Sequence, residues 1–361
     1  MCSQNKNFSH LKQLTLASAL LFFSSQACAA ETAVATPNLK SESKVVLQTS
    51  RPETFYFDAS FSYWMAMQEN MELGVVNNTT NPLDVASGSF VNMNFDFKPG
   101  FQLGAGVNFL PENWNLYLEY TWFRSTNTVT KTLDATNVLI SLLPTWHIPT
   151  TSNPTYFFGE ESWSLHMDIA DAQLSKSFYV GKKLAFHPFF GLRAPWIRQN
   201  LDVNYNIDIF DPLRNTTITE STRSWGIGPR IGSCVDWFLG RGFKFYGKGG
   251  ADLIFTQYTR LNFHQESDIS GVVVTGTRYS FSQSNVNTVR PHMDLALGFG
   301  WGSYIAKDKA HVSLSADYGF QVFFDQNMFR TFLNDQSIAK SIAPNGNLYM
   351  QGLTVSLLFE F

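Results

Sequence analysis

From Thr54 to Phe361 apolar and polar side chains alternate along most of the chain. A sustained period of two marks strands with two unlike faces. The first such segment, Thr54–Met67, sets Phe55, Phe57, Phe61, Tyr63 and Met65 against Asp58, Ser60 and Ser62. Similar patterns recur over Asn92–Phe109, Trp114–Trp122, Leu184–Trp196, Trp225–Trp237, Phe243–Phe255, Arg290–Trp301, His311–Gln321 and Leu353–Phe361. A further strand starts near Trp163, where Leu165, Met167 and Ile169 alternate with His166 and Asp168. The phase of that strand slips around Ala170 and Asp171, which predicts a β-bulge. Ten strands are readable, and contributions from Asp134–Trp146 and Gly271–Ser282 would raise the count to twelve or fourteen.

The connections carry a second pattern. Four of them are about three to six residues long, and the other five run to roughly 17–38. Alternation of short turns with long loops is expected of an outer-membrane barrel, with turns in the periplasm and loops outside. An even strand count returns both termini to the same side. The two patterns together predict an all-β, transmembrane, antiparallel up-and-down β-barrel of 10–14 strands over residues 54–361. The competing architecture is a soluble sandwich, in which tryptophans sit anywhere along a strand. Here Trp114 pairs with Trp122, and Trp225 with Trp237, across separations of about 20 and 30 Å at ~3.3 Å per residue and ~40° tilt, bracketing the ~25 Å apolar band. With Trp163, Trp196 and Trp301 they are the expected aromatic girdle.

Composition agrees with alternation. Aromatic residues make up 15% of the chain, as many as all charged residues together. No segment after residue 30 approaches eighteen consecutive apolar residues, so transmembrane helices are not expected. The first thirty residues are set apart: Lys6 and Lys12 precede an apolar stretch from Leu14 to Phe23, and small residues from Ser24 to Ala30 suit signal peptidase. As a helix that stretch would span only ~15 Å, half a bilayer core. A signal peptide over 1–30 is therefore expected; lipoprotein processing at Cys28 competes poorly, because Ser25-Gln26-Ala27 lacks the usual aliphatic residue. Residues 31–53 are polar and read as a flexible periplasmic lead-in. Loss of Lys6 and Lys12 takes the formal charge from −3 to −5, so nothing points to nucleic acid. Cys234 alone stays in the mature chain, which excludes an internal disulfide framework.

The inward faces carry the candidate chemistry. Lys98, Arg193, Arg230, Lys244, Lys248 and Arg290 are predicted to face the lumen with Glu119, Asp168, Asp252, Asp294, Asp317 and Glu360. Balanced signs predict little charge selectivity. Opposite charges can equally pair and fill a narrow barrel, since eight strands enclose packed side chains and sixteen an aqueous channel. Six inward glycines (Gly104, Gly106, Gly226, Gly228, Gly298 and Gly300) either make room or relieve strain where the sheet bends, bending being the stronger reading. His147, His264 and Asp268 fall in predicted loops at no recognisable catalytic spacing. No clustered Cys or His suggests zinc, and no phosphate loop is present. No enzyme activity and no cofactor are expected.

Five stretches carry a resemblance: Tyr63-Trp64-Met65-Ala66, Phe97-Lys98-Pro99-Gly100-Phe101 with Gly104-Ala105-Gly106, Tyr120-Thr121-Trp122-Phe123, Pro188 to Arg193, and Trp225-Gly226-Ile227-Gly228-Pro229-Arg230. Their order resembles the pore-forming major outer membrane proteins of Legionella and of Chlamydia-related bacteria. The chain departs from the chlamydial branch in retaining one cysteine where those proteins use many. The resemblance implies a porin-like role in the outer membrane: passive, weakly selective diffusion of small hydrophilic solutes. The alternative is a structural or adhesive surface barrel with a plugged lumen, acting through its loops. A final strand ending on Phe361 is similar to the insertion signal read by the barrel-assembly machinery. Expected partners are outer-membrane lipid, that machinery and small solutes, with homo-oligomer formation left open.

Overall fold

The computed structural model describes residues 53–77, 88–109, 113–134, 140–148, 156–207, 215–268, 277–305, 310–332, 341–343 and 345–361. The predicted signal peptide and all but the last residue of the lead-in lie outside them. The strands, in chain order, are β1 (Glu53–Gln68), β2 (Glu72–Asn77), β3 (Gly88–Asn92), β4 (Phe97–Phe109), β5 (Trp114–Thr132), β6 (Ser141–Pro144), β7 (Phe158–Lys176) and β8 (Phe178–Val180). They continue with β9 (Leu184–Asn206), β10 (Asn215–Gly240), β11 (Phe243–Asp268), β12 (Thr277–Gln283), β13 (Val286–Ile305), β14 (Ala310–Phe323) and β15 (Leu348–Glu360).

Ten of these are barrel staves. They run β10-β11-β13-β14-β15-β1-β4-β5-β7-β9, and pairing of β9 with β10 closes the ring. Closure is obligatory in lipid, where an open edge would leave backbone groups unpaired. The first and last staves seal it directly: β1 pairs β15 in antiparallel register from Tyr56↔Glu360 to Gln68↔Leu348. Phe55 and Phe361 exchange backbone bonds of 3.2 and 2.9 Å at the end of that seam. The two segments that left the strand count open do contain strands, but among their described residues neither adds a stave. β6 joins β2 and β3 in a separate three-stranded sheet, and β12 extends a hairpin with β11.

The staves are longer than the alternation suggests. β10 and β11 have 26 residues each, a reach of roughly 65 Å along the axis at ~3.3 Å per residue and ~40° tilt, against an apolar band of ~25 Å. Along β9 the outward residues from Leu184 to Trp196 are apolar and exposed, whereas Arg198 and Asp202 beyond them are charged. The inward face changes in the opposite sense at the same place. His187 and Arg193 lie below, and Ile197, Leu201, Val203 and Tyr205 are buried above. β7 and β11 invert likewise; on β5 and β10 the outer face turns polar above Trp122 and Trp225 in the same way, while the inner face there mixes polar and apolar side chains. Below the change the outer solvent is lipid; above it the outer solvent is water, and the apolar side chains turn inward to build an ordinary core.

This inversion corrects the reading of β7. Its register with both β5 and β9 is continuous from Phe158 to Ser175, so there is no bulge at Ala170 and Asp171. What slips is the chemistry. Leu165, Met167 and Ile169 point inward and are buried, while Ala172 and Leu174 face out. A true irregularity occurs instead in β11, where Thr259 is skipped between Tyr258 and Arg260 in the pairing with β10.

Position, not facing alone, should then decide the cost of a charge. Leu295 is outward and midway along the apolar stretch of β13 that runs from Val289 to Trp301. Leu295→Arg is expected to cost ~2–4 kcal/mol in a bilayer-folded preparation. Thr219→Arg, equally outward but above the inversion on β10, should stay within about 0.5 kcal/mol. Denaturant titration of both variants checks the difference, and equal costs would refute the assigned boundary.

Candidate functional site: the barrel interior

Eleven of the twelve charged residues assigned to the lumen lie on the inward face, and the structure brings several together midway along the barrel. Arg193 of β9 donates from Nε and Nη2 to both carboxylate oxygens of Asp171 on β7, each at 2.7 Å. Its Nη1 lies 3.4 Å from Asp252 and 3.6 Å from Asp294. Arg230 of β10 reaches the same two carboxylates at 2.8 and 2.6 Å. His292 of β13 closes the group through Nδ1 against Asp252. Two guanidiniums thus face three carboxylates contributed by five staves, in a layer that is almost wholly buried. Removing one partner of such a layer strands a buried charge and typically costs ~3–5 kcal/mol, whereas removing a matched pair is far milder.

On the periplasmic side of the layer lies a polar cavity of about 380 Å³ lined by Asp58, Glu119, Lys244, Lys248 and Asp317, among others. Lys244 pairs with Asp236 at 2.9 Å. The Tyr246 hydroxyl donates to Asp317 at 2.8 Å, and that of Tyr117 to Asp58 and Glu119 at 3.1 and 2.9 Å. Glu360 accepts from Thr54 and Asn108 beside the closing seam. Arg290 sits higher, 3.5 Å from Asp325. Lys98 is near the upper end of β4, 3.7 Å from Asp96. Cys234 is a free thiol on the inward face, 3.7 Å from Asp236.

Two of the inward glycines make room for aromatic side chains. A Cβ on Gly106 would meet the Tyr56 ring at 2.2 Å, and one on Gly104 would meet Asp58 and Tyr117 at 2.2 and 2.3 Å. At these two positions interior aromatic side chains fill the space the glycine vacates, whereas a Cβ on Gly228 or Gly298 would meet the neighbouring stave's backbone carbonyl at 2.1 or 2.4 Å.

Two assigned residues lie elsewhere. Asp168 is outward, where Arg124 donates to both of its oxygens at 2.9 Å and the Tyr120 hydroxyl donates at 2.7 Å. An outward carboxylate is tolerated because its position is already at the edge of the apolar belt. Trp163 is inward and buried, donating from Nε1 to Gln199 at 3.0 Å. The other six girdle tryptophans face outward. Trp122, Asp168, Trp196 and Trp225 occupy consecutive positions of one paired row across β5, β7, β9 and β10. Toward the other end, Trp114 lies under Lys176, 5.1 Å away, Trp237 pairs with Leu184 and Trp301 with Phe243.

Above the ion-pair layer the interior holds an apolar core with buried polar groups among it. Trp163, Leu165, Leu201, Tyr205, Ile218 and Phe263 from the staves pack with Leu73, Leu142, Trp146 and Phe329 from the connections. Hydrogen bonds fasten those connections inside: the Tyr205 hydroxyl donates to the Leu73 carbonyl, and Ile148 N–H donates to Gln265 at 2.9 Å. His147 is buried here with its ring 5.7 Å from Tyr156, while His264 is exposed on β11. The two do not form a catalytic set. His166 is exposed on the outer face, two residues from the equally outward Asp168.

Asp252, His292 and Asp294 offer donor atoms within 4.8 Å of one another, the spacing of a metal site. Arg193 and Arg230 already neutralise these carboxylates and would repel a cation, so the set does not fit one. Asp171 and His292 are additions to the residues assigned from sequence. The inverted phase of β7 hides the first. For the second, its two-residue spacing from Asp294 on one strand face is the available signal.

A closed barrel with an apolar belt, aromatic rows and a charged interior is a membrane barrel of the outer-membrane class. The chain belongs to the family described as Legionella pneumophila major outer membrane protein precursor, whose model matches residues 49–361, and it is a protein of the bacterial outer membrane. No curated protein matches it. Among solved structures it is similar to the outer membrane protease OmpT of Escherichia coli, at 8% identity and TM-score 0.39, covering 87% of this chain and 99% of that one. A major outer membrane protein of Thermus thermophilus aligns at 13% identity and TM-score 0.26, over 84% and 99% of the two chains. The toluene transporter TodX of Pseudomonas putida aligns at 7% and 0.26, over 86% and 90%. None is close enough to bear on activity.

Burial of His147 lowers its pKa from 6.5 to about 4. The folded state holds the neutral ring, so this site's contribution to stability is full above pH 6.5 and is lost as pH falls toward 4. Acidification across that window should remove up to ~3 kcal/mol of stability. Denaturant midpoints from pH 7.5 to 4 check this: His147→Phe should flatten the dependence, and an unchanged slope would refute it.

Proposed function

We propose that the barrel is a narrow passive channel for ions and small hydrophilic solutes, with little charge preference and no catalytic activity. The observation that carries this is the polar cavity at membrane depth, lined by charges of both signs and bounded above by the Arg193–Arg230 layer. Passage requires that layer and the apolar packing above it to part, so open events should be brief and of low conductance. Phe361 on the closing seam suits insertion by the barrel-assembly machinery.

A second reading is favoured by one specific feature. The loop-side interior is filled by side chains from the connections, as expected of a surface barrel that works through its loops with the lumen plugged. Planar-bilayer recording separates the two. The channel reading predicts stepwise conductance that rises several-fold when Arg193→Ser and Asp171→Ser are combined, because a matched pair is removed from the layer. Flat traces from both proteins would sink the channel and leave the plugged barrel.

A further inference from the structure

The part of the barrel above the inversion contains a second cavity, of about 470 Å³, lined by residues of β10, β11 and β12 together with Met328, Arg330, Phe332 and Ser341. It is separate from the ion-pair layer and its polar vestibule. One wall is aromatic. Phe332 packs edge-on against Phe263 at 4.7 Å and tilted against Phe281 at 5.6 Å, and Phe263 stacks on Phe281 at 6.0 Å. Glu220, only 2% exposed, lines the same cavity. Its Oε2 accepts the backbone N–H of Arg330 at 2.8 Å, but Oε1 is buried without a hydrogen-bond partner. The Arg330 guanidinium does not serve it. Nη1 donates to Ser341 and Nη2 to Gln283, both at 2.6 Å.

A buried carboxylate oxygen without a donor is destabilising, and an unfilled apolar wall adds its own penalty. Both are removed by one kind of occupant: a compact apolar body against the three rings, with a single N–H or O–H directed at Glu220 Oε1. The volume lies within the range of small-molecule sites. The Arg330 guanidinium is taken up by Ser341 and Gln283, which leaves Glu220 Oε1 as the unpartnered carboxylate oxygen of the lining. We propose that this cavity is a binding site for small aromatic molecules bearing one amine or hydroxyl group. The site lies on the loop side of the belt and does not rest on the channel reading.

The test uses the full-length protein in phospholipid nanodiscs, with binding followed by saturation-transfer NMR and calorimetry. Four probes share a phenyl ring: phenethylamine, 2-phenylethanol, ethylbenzene and phenylacetate. The amine, the alcohol or both should saturate, with ethylbenzene and phenylacetate at least about tenfold weaker, the worth of one charge-assisted hydrogen bond. Which donor binds more tightly shows whether the site prefers a cation or a neutral head. Glu220→Gln should weaken the better probe about tenfold and leave ethylbenzene unchanged, whereas Phe281→Ala should weaken all probes. Heat-modifiable gel migration confirms that each variant is folded, and Thr219→Ala, on the outer face of β10 and away from the cavity, should retain the donor preference. Equal binding of ethylbenzene, tightest binding of phenylacetate, no saturation, or indifference to Glu220→Gln in a folded barrel would each overturn the site.

Discussion

The constraint on which the rest of the structure depends is backbone hydrogen bonding in lipid. With no water to satisfy them, the peptide groups of every stave must pair with a neighbour, and the ring must close. The seam between β1 and β15 satisfies that requirement over thirteen paired positions. Closure with ten staves sets an interior narrow enough for side chains from opposite walls to meet. The Arg193–Asp171 and Arg230–Asp252 pairs are the consequence: charges excluded from lipid turn inward, and in so small a barrel they find one another.

A second constraint follows from length. Staves of up to 26 residues outrun the apolar band, so each passes from one solvent into another. The side-chain rule then reverses without any change in strand geometry. Below the boundary the apolar side is outside; above it the apolar side is the core. The outward row containing Trp122, Asp168, Trp196 and Trp225 marks where this happens, and Arg124 holds the one carboxylate in the row. Connections that fold into the upper interior complete the core and create the buried polar groups, His147 and Glu220 among them, that give this half its chemistry.

Much of this is legible in the sequence. Period-two alternation locates all ten staves, and the short turns and terminal Phe361 strand indicate closure. The errors of facing have one cause. Leu165, Met167 and Ile169 look lipid-facing when a single outer solvent is assumed for the whole stave, and Trp163 and Asp168 are misassigned with them. Stave ends are cut short for the same reason, because outward Thr217 and Thr219 and inward Ile218 read as loop once lipid is expected outside. The ion-pair layer is only partly visible. Its members are known by facing, but which charges meet depends on register across five staves. The cavity beside Glu220 depends on connections folding back, for which period and spacing carry no signal.

The account stands most directly on the inversion of solvent along one continuous stave. Nitroxide labels at successive outward positions of β10, in a Cys234→Ser background, report it through their relative accessibility to oxygen, which partitions into lipid, and to a nickel chelate, which stays in water. The account predicts oxygen-dominated relaxation at Ile227, Ile231 and Val235 and chelate-dominated relaxation at Thr217 and Thr219, with the crossover near Trp225. Chelate access along the whole outer face, or oxygen dominance persisting to Thr217, would contradict it.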